Sequence, residues 1–445
     1  MTNKKTKVLI LAYDFPPYVS VGGLRPFNWF RYLKEFGVEP IVITRQWSNT
    51  HGNHLDYISK GSSNQSIVEK SEFGTIIKTP YTPNIANRLM LKYGEKKYRF
   101  LRKSISAFYE FAQFLWITGP KAELYKEARS YLKNNKVDVI IATGDPFILF
   151  YYASKLSDEL NIPWIADYRD PWSHNQEYSQ KKVLKKWNAY FEKKLVSSAS
   201  HITTVSSFVY SKIDSLIPNK PFSILPNGYD PSIIDLVQKI PQNSKVLTIA
   251  FVGTIYNWHP LKSFLRTVND FILQNKVIHI KFYGINIPNE LNLLIESDFP
   301  ALKSFVIITP KIPNEQLLKK IAEDNVMLLF NYYSYMGTKI FDYLGIRRKM
   351  ILCYSNDPEA NELKSKYYSI DESMANSTQL QADLIKETNS GIIVEDSNHL
   401  MDVLQDLFNE FEVTKCIACD SIGVENYSRK IQVELLADLV KNLKY

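Results

Sequence analysis

Two neighbouring glycines stand where a short apolar run gives way to a helical pattern. The run Val8–Ala12 predicts a buried strand, and Gly22-Gly23 leads into a helix that includes Trp29. Glycines let backbone N–H groups approach an anion, and a helix N-terminus adds unpaired amides and the helix dipole. The pattern predicts a phosphate-binding turn, with an ordinary loop as the alternative. It is not the G-x-G-x-x-G of dinucleotide dehydrogenases.

A dense polar cluster, Asp167-Tyr168-Arg169-Asp170, follows the strand-like run IPWIA. Open α/β sheets bind ligands at the carboxyl ends of their strands. Asp167 or Asp170 could orient a hydroxyl group there, and Arg169 could hold a carboxylate or phosphate. His174, just beyond, is a weaker acid–base candidate. The alternative is a salt-bridged turn that only supports the site.

A third loop, Thr143-Gly144-Asp145-Pro146, follows the strand-like run VDVIIA and should open at the same edge. Asp145 could contact a ligand there. It could equally cap the next helix, because Asp is a preferred N-cap residue.

Short β-branched runs alternate with helical stretches along the whole chain. In the first half they are KVLILAY, EPIVITR, GTIIKTP, KVDVIIATG, IPWIADY and HITTVS, and in the second half VLTIAFVG, VIHIKFYG, FVIITP, NVMLLF, KMILCYS and SGIIVED. Such alternation is typical of doubly wound parallel sheets in α/β proteins. Because the chain is too long for one core, it predicts two Rossmann-like domains, 1–225 and 226–420. The segment 421–445 is expected to return to the first domain.

The composition is that of a folded globular protein, with 45% hydrophobic and 22% charged residues. No window holds the roughly 18 apolar residues of a membrane span, and the first apolar run is too short for a signal peptide. We therefore expect a cytoplasmic protein. The net charge of +8 is modest and its basic cluster lacks a nucleic-acid recognition motif, so nucleic acid is not an expected partner.

Cysteine usage gives no support for a metal or a disulfide framework. Cys416 and Cys419 have the spacing of half a zinc or redox site, but a second ligand pair is missing. The sequence therefore predicts no metal site and no cofactor.

The basic residues cluster in one place, residues 88–103. Apolar residues then recur at helical spacing: Leu101, Ile105, Phe108, Ala112 and Leu115. Such a segment could lie on an anionic membrane surface, at the inner face of the plasma membrane. The alternative is a core-facing helix with a solvated basic flank. Both interpretations stay open at the level of sequence.

Segments spread in order along the chain carry a family resemblance: FPPYVSVGGLRPFNWFRYLKEFGVEPIVITRQ, ILPNGYD, FVGTIYNWHPLKSFL, GTKIFDYLGIRRKMIL and ENYSRK. Together they resemble the family-four retaining glycosyltransferases of the glycosyltransferase B fold. The resemblance implies two Rossmann-like domains facing across a cleft. It also implies transfer of a sugar from a nucleotide-diphosphate sugar with retention of the anomeric configuration and without a metal.

In this family the donor diphosphate lies between the glycine-rich loop of the first domain and basic residues of the second. Carried over by position, the resemblance implies Gly22, Gly23, Lys262 and Lys339. A fixed cation there would stabilise the leaving diphosphate. Lys262 could instead be an exposed surface lysine. The resemblance further implies donor contacts at Gly253, Gly337 and Thr338, and Arg347 could add a phosphate contact or be a solvated turn residue. Asp167 and Asp170 occupy roughly the place of a His-Asp element in many relatives, so Asp170 could orient the acceptor hydroxyl beside the two catalytic lysines. Asp145, Arg169 and His174, which follow the strands, complete the predicted acceptor side.

The family's two glutamates near the donor, eight positions apart, are both replaced in this chain. Asp342 stands at the second, which in the family usually binds the nucleotide ribose, and Ser334 stands at the first. Asp342 keeps a carboxylate with a shorter reach. The resemblance then implies that Ser334 and the backbone near Gly337 contact the sugar.

These features predict a glycosyltransferase that uses a UDP- or GDP-sugar and a glycan or lipid-linked acceptor, in the synthesis of bacterial lipopolysaccharide or another surface polysaccharide. Two alternatives remain. A nucleotide-sugar epimerase has the same fold, which does not settle function. A nucleotide-binding scaffold with a decayed donor site would explain the missing glutamate at Ser334.

Overall fold

The computed structural model describes residues 5–18, 20–47, 55–174 and 182–443. The chain divides into two compact units, one of residues 1–226 and 430–445 and one of residues 227–429. Each is described separately below.

The first unit is built on an eight-stranded sheet in the order β3-β4-β2-β1-β5-β6-β7-β8. The β3–β4 pair is antiparallel and all other neighbours are parallel. The strands are β1 (Thr6–Leu11), β2 (Val38–Arg45), β3 (Ile67–Lys70), β4 (Thr75–Thr79), β5 (Val139–Gly144), β6 (Trp164–Tyr168), β7 (His201–Thr204) and β8 (Phe222–Ile224). The helices are α1 (Val21–Tyr32), α2 (Ile85–Tyr93), α3 (Arg99–Ala112), α4 (Ala122–Asn134), α5 (Ile148–Leu160), α6 (Lys182–Val196) and α7 (Ser207–Asp214).

The second unit has a six-stranded, wholly parallel sheet in the order β11-β10-β9-β12-β13-β14. Its strands are β9 (Leu247–Val252), β10 (Ile278–Tyr283), β11 (Val306–Thr309), β12 (Val326–Phe330), β13 (Lys349–Cys353) and β14 (Gly391–Val394). The helices are α8 (Pro231–Val237), α9 (Leu261–Ile272), α10 (Pro288–Asp298), α11 (Asn314–Glu323), α12 (Lys339–Gly345), α13 (Pro358–Tyr367), α14 (Leu380–Thr388) and α15 (Ser397–Thr414).

Two separate hydrophobic clusters lie in each unit. Strands that are buried on both faces have continuous apolar sequences, as the fully buried β5, β9 and β12 do. The predicted fold class, α/β with two doubly wound sheets, is confirmed, and all twelve predicted strands are present. The short strand β8 ends at Ile224, at the ILPNGYD segment where the sequence predicts a short strand and a turn. The unpredicted strand β3 is short and largely exposed, so it lacks an apolar run.

The terminal helix α16 (Arg429–Asn442) belongs to the first unit from Lys430 onward. Its Val433 and Leu436 join the cluster that contains Val8. The return therefore starts at Lys430 rather than at residue 421. Residues 421–429 stay in the second unit, where the Tyr229 N–H donates to the Tyr427 carbonyl at 3.0 Å.

Among the described residues, no helix combines the length and the apolar character needed to cross a membrane.

Candidate active site

The first turn of α1 lies against the loop that follows β6. A Cβ atom added to Gly22 would come within 1.7 Å of the Arg169 guanidinium, so glycine is needed here unless that side chain moves. Arg169 donates through Nε to the Gly144 carbonyl at 2.7 Å and through Nη2 to the Asp145 carbonyl at 2.5 Å. The structure thus joins three predicted site residues, Gly22, Asp145 and Arg169. The guanidinium charge adds to the positive end of α1.

Ser20 caps this helix. Its Oγ accepts from the Gly23 N–H at 3.0 Å and donates to the Asp14 carboxylate at 2.7 Å. The Gly23 amide, predicted to bind phosphate, is therefore used by the cap. Burial raises the pKa of Asp14, although the Ser20 hydroxyl and the nearby Arg169 oppose that rise.

Asp167 is fully buried and lies inside β6 rather than at its open end. It accepts from Arg25 Nε and Nη2 at 3.0 and 2.8 Å, and from the hydroxyls of Thr143 and Thr203 at 2.8 and 2.7 Å. Arg25 also donates to the Leu225 carbonyl at 2.6 Å. The predicted acceptor contact of Asp167 is corrected here. Flanking strands supply its partners, so this carboxylate fixes α1 to the sheet.

A cavity of about 500 Å³ opens beside the carboxyl ends of β1 and β5, entirely within the first unit. Both Asp145 and Asp170, which follow β5 and β6, line it. The remaining wall is aromatic and amide-rich, which suits sugar rings and hydroxyls. It includes Tyr13, Tyr57, Tyr81, Tyr109, Tyr152, Trp172, Asn84, Asn87 and Gln113.

Among the described residues that line this cavity, Lys121 is the only cation, and its Nζ lies 5.2 Å from the centre of the Tyr13 ring. Burial lowers its pKa, while the Asp145 and Asp14 carboxylates oppose the shift. The fully buried Tyr152 has a hydroxyl with no hydrogen-bond partner among the described residues. A buried donor left unpaired costs free energy, so this cavity is built to receive polar groups.

Asp170 and His174 differ in their relation to the cavity. Asp170 is exposed and lines the cavity. Desolvation by the surrounding protein raises the pKa of its carboxyl, the charge of Arg169 opposes this rise, and the charge of Asp145 adds to it. His174 does not line the cavity, and its Nδ1 lies 3.4 Å from Ser173 Oγ.

In the second unit, two glycines border open space at the carboxyl ends of β9 and β12. A Cβ atom added to Gly253 or Gly337 would meet nothing within 4 Å. Gly253 has φ of +98°, a conformation that favours glycine. Lys339 begins α12 two residues after Gly337, and its Nζ lies 3.5 Å from the Asp342 carboxylate. The unit therefore places a partly exposed cation, Lys339, close to this free space, with the largely buried Asp342 carboxylate behind it.

Ser334 is fully buried, so the structure does not present it to a sugar. Its Oγ and its N–H both donate to Glu372 Oε1, at 2.6 and 3.2 Å. Lys364 pairs with the other carboxylate oxygen of Glu372 at 2.9 Å. A glutamate from a loop 38 residues away in the sequence thus brings a carboxylate next to Ser334. No local sequence pattern near Glu372 indicated this.

Lys262 and Arg347, two further basic residues that the sequence analysis gave as candidates for phosphate binding, already have partners within the second unit. Lys262 is half exposed and pairs with Asp298 at 2.5 Å. Arg347 precedes β13 and therefore lies at the amino end of the parallel sheet, opposite the edge where such folds bind ligands. It donates to the Ser421 carbonyl at 3.2 Å and lies 3.7 Å from Glu425. Thr338 takes the N-cap position of α12 without a side-chain cap bond.

An aromatic cluster that sequence reasoning missed surrounds the loop after β9. Trp258 stacks on Tyr256 with ring centres 4.5 Å apart, and Tyr332 lies 5.2 Å from Tyr256. His259 Nδ1 accepts from the Tyr256 N–H at 3.3 Å, and burial lowers the His259 pKa to about 3. The ring is therefore neutral and carries its hydrogen on Nε2. That donor and Trp258 Nε1 have no partner among the described residues.

In the parts of the chain that the structure describes, no three His, Cys, Asp or Glu side chains are grouped to hold a metal ion.

Comparison with known proteins gives one family and one fold. Residues 27–233, slightly less than half of the chain, match the family model described as Glycosyltransferase Family 4. No curated protein matches significantly.

Solved structures match over almost the whole chain. Sucrose-phosphate synthase from Thermosynechococcus elongatus is 12% identical with a TM-score of 0.58, covering 98% of this chain and 99% of that one. The trehalose-6-phosphate structure from E. coli bound with UDP-2-fluoro glucose is 11% identical with a TM-score of 0.54, covering 99% and 96%. An α,α-trehalose-phosphate synthase (UDP-forming) from Burkholderia xenovorans in complex with glucose-6-phosphate gives 11% and 0.54, covering 99% and 100%. At such identities the likeness shows the fold.

Proposed function

We propose that this chain, which has the glycosyltransferase B fold and matches the Glycosyltransferase Family 4 model over residues 27–233, moves a sugar from a nucleoside diphosphate to a glycan or lipid-linked acceptor. The second unit binds the donor and the first unit binds the acceptor. The observation that carries the proposal is the Lys339 ammonium, which lies beside the open space at Gly337 and at the carboxyl end of the second sheet.

The donor site uses a protein cation in place of a metal. The leaving diphosphate gains negative charge as the glycosidic bond breaks, and a fixed ammonium stabilises that charge. The Asp342 carboxylate, which lies beside Lys339, can accept a hydrogen bond from a hydroxyl of the ribose. The unpaired N–H groups of His259 Nε2 and Trp258 Nε1 can donate hydrogen bonds to other oxygen atoms of the nucleotide sugar. Structures of this fold from E. coli and Burkholderia xenovorans hold UDP-2-fluoro glucose and glucose-6-phosphate, which supports a nucleotide-sugar donor and a carbohydrate acceptor.

Transfer retains the anomeric configuration and needs no dedicated carboxylate nucleophile. The leaving phosphate oxygen takes the proton of the acceptor hydroxyl while the new glycosidic bond forms. Asp170, which faces the cavity in the first unit, orients that hydroxyl. The resulting products are the glycosylated acceptor and the free nucleoside diphosphate.

A thermal-shift panel of UDP, GDP, ADP and CMP, with UDP- and GDP-sugars, tests donor binding. We expect one nucleoside diphosphate to stabilise the protein selectively, by about 2.7 kcal/mol at a hundred times its Kd. A well-folded sample that no nucleotide stabilises would refute the proposed donor site, and stabilisation by a nucleotide without any sugar transfer would favour the scaffold alternative. Conversion of the donor sugar to its epimer without any acceptor would favour the epimerase.

We also propose that the first unit docks on the inner face of the plasma membrane through α3, as fits the synthesis of a bacterial surface polysaccharide. Of the apolar stripe at helical spacing, Leu101, Phe108 and Leu115 are exposed and only Ala112 is buried. Phe100 is 87% exposed. This favours a surface-docking helix over a core-facing one, because large exposed apolar patches mark interaction sites.

Vesicle flotation tests the docking face. Wild type should bind vesicles of 30% phosphatidylglycerol, and Phe100→Ser with Phe108→Ser should weaken binding at least tenfold, since burying one phenylalanine contributes about 1.5–3 kcal/mol. A matched control is Val413→Ser with Leu273→Ser, two exposed apolar residues of the second unit. If wild type never binds anionic vesicles, or if both double variants bind equally, the membrane role fails.

A further inference from the structure

A basic groove runs between α2 and α3 in the first unit. It encloses about 590 Å³ and carries four cations, one on the connecting loop and three on α3, against two acidic residues. The cations are Lys96, Arg99, Arg102 and Lys103, and the acids are Glu95 and Glu110. The groove therefore has an excess of positive charge.

Three of these cations are free to bind an anion. Within the described part of the chain, Lys96, Arg99 and Lys103 take part in no ion pair. Arg102 differs, because its guanidinium donates to the Lys97 and Glu95 carbonyls. Arg102 thus holds the loop that presents Lys96. Unpaired cations gathered on one groove repel each other, so a bound anion would relieve that cost.

The groove adjoins the sugar-sized cavity. Ser106 and Glu110 of α3 line both spaces, so α3 is their common wall. Exposed apolar side chains of the same helix, Phe100 and Phe108 among them, lie outside both linings. One helix therefore borders a carbohydrate cavity, a basic groove and an apolar surface.

We infer that the α2–α3 groove binds the phosphate that joins sugar to lipid in the acceptor. The sugar enters the cavity beside Lys121 and Asp170, and the lipid lies along the apolar side of α3. This assignment rests on the proposed function and narrows its acceptor to a lipid-phosphate-linked sugar. Phosphate chemistry could also come from a bilayer headgroup or from free phosphate, and the experiment separates these sources.

The experiment measures binding of farnesyl phosphate to the full chain by titration calorimetry, with farnesol and inorganic pyrophosphate as comparison ligands. Wild type should bind farnesyl phosphate at least tenfold more tightly than either. The triple variant Lys96→Gln, Arg99→Gln and Lys103→Gln should weaken that binding at least thirtyfold. The matched control, Lys133→Gln with Lys136→Gln and Lys194→Gln, changes three exposed cations elsewhere in the same unit and should bind like wild type.

Several outcomes would overturn the assignment. Equal binding of farnesol would show an apolar surface only, and equal binding of pyrophosphate would show a general anion site. A triple variant that keeps farnesyl phosphate but loses phosphatidylglycerol vesicles would assign the cations to bilayer headgroups. Nucleotide stabilisation is measured on the same samples. If nucleotides stabilise the wild-type protein but farnesyl phosphate does not bind to it, only the groove assignment fails. If no nucleotide stabilises the wild-type protein, the proposed function itself is refuted.

Discussion

Asp167→Ala should destabilise the first unit by about 3–5 kcal/mol, the usual effect of removing one partner from a buried ion pair. The substitution leaves the Arg25 guanidinium, only 7% exposed, without its carboxylate. It also removes the acceptor of the Thr143 and Thr203 hydroxyls. Urea unfolding followed by tryptophan fluorescence measures this unit, because six of the seven tryptophans lie in residues 1–226.

The matched control is Glu123→Ala, which removes an exposed ion pair with Lys126 in the same unit. Exposed pairs contribute at most about 1 kcal/mol, so its unfolding midpoint should stay near that of wild type. Replacement of both buried partners, Arg25→Met with Asp167→Leu, should recover part of the loss, since no buried charge then lacks a partner. Equal midpoints for Asp167→Ala and wild type would return Asp167 to the acceptor-side role that the sequence suggested.

Asp167 and Asp170 show what the sequence could establish and what it could not. The IPWIADYRD segment correctly predicted β6 and polar residues at its carboxyl end. It could not separate the two carboxylates, because the partners of Asp167 come from β5, β7 and α1, far away in the chain. Strand patterns are local, and so the sheets were predictable. Hydrogen bonds between side chains of different strands depend on residues far apart in the chain, and so they could not be predicted.

The cavity and the donor site show the same limit. Lys121 follows a Thr-Gly-Pro turn before α4 and carries no motif, yet the fold brings it to Tyr13 and within electrostatic reach of Asp145. Glu372 reaches Ser334 from a polar loop beyond α13. By contrast Gly253 directly follows β9, and Gly337 and Lys339 lie in the loop after β12 and at the start of α12, so their places at the carboxyl edge of the sheet were predictable. The position of a residue relative to a strand end could be predicted from the sequence, whereas a contact made from a distant loop could not.

Lys339→Ala should lower donor turnover by about 100-fold or more, the size of effect seen when one preorganised charge-stabilising group is removed from a transition state. Turnover is measured as nucleoside diphosphate released from the nucleotide sugar that stabilises the protein best, with water as acceptor. Because the ammonium acts most strongly on charge that develops during bond cleavage, the fall in kcat should exceed the change in KM. Lys339→Arg should keep part of the activity, since it keeps the charge.

The control for Lys339 is Lys262→Ala, the other lysine that the resemblance placed on the diphosphate. Lys262 is paired with Asp298 at a half-exposed surface, whereas Lys339 borders open space beside Gly337. We therefore expect Lys262→Ala to change turnover less than twofold. A loss that equals that of Lys339→Ala would mean that donor binding breaks the Lys262–Asp298 pair and recruits this lysine to the phosphates. The two variants thus decide between a single-lysine and a two-lysine diphosphate site.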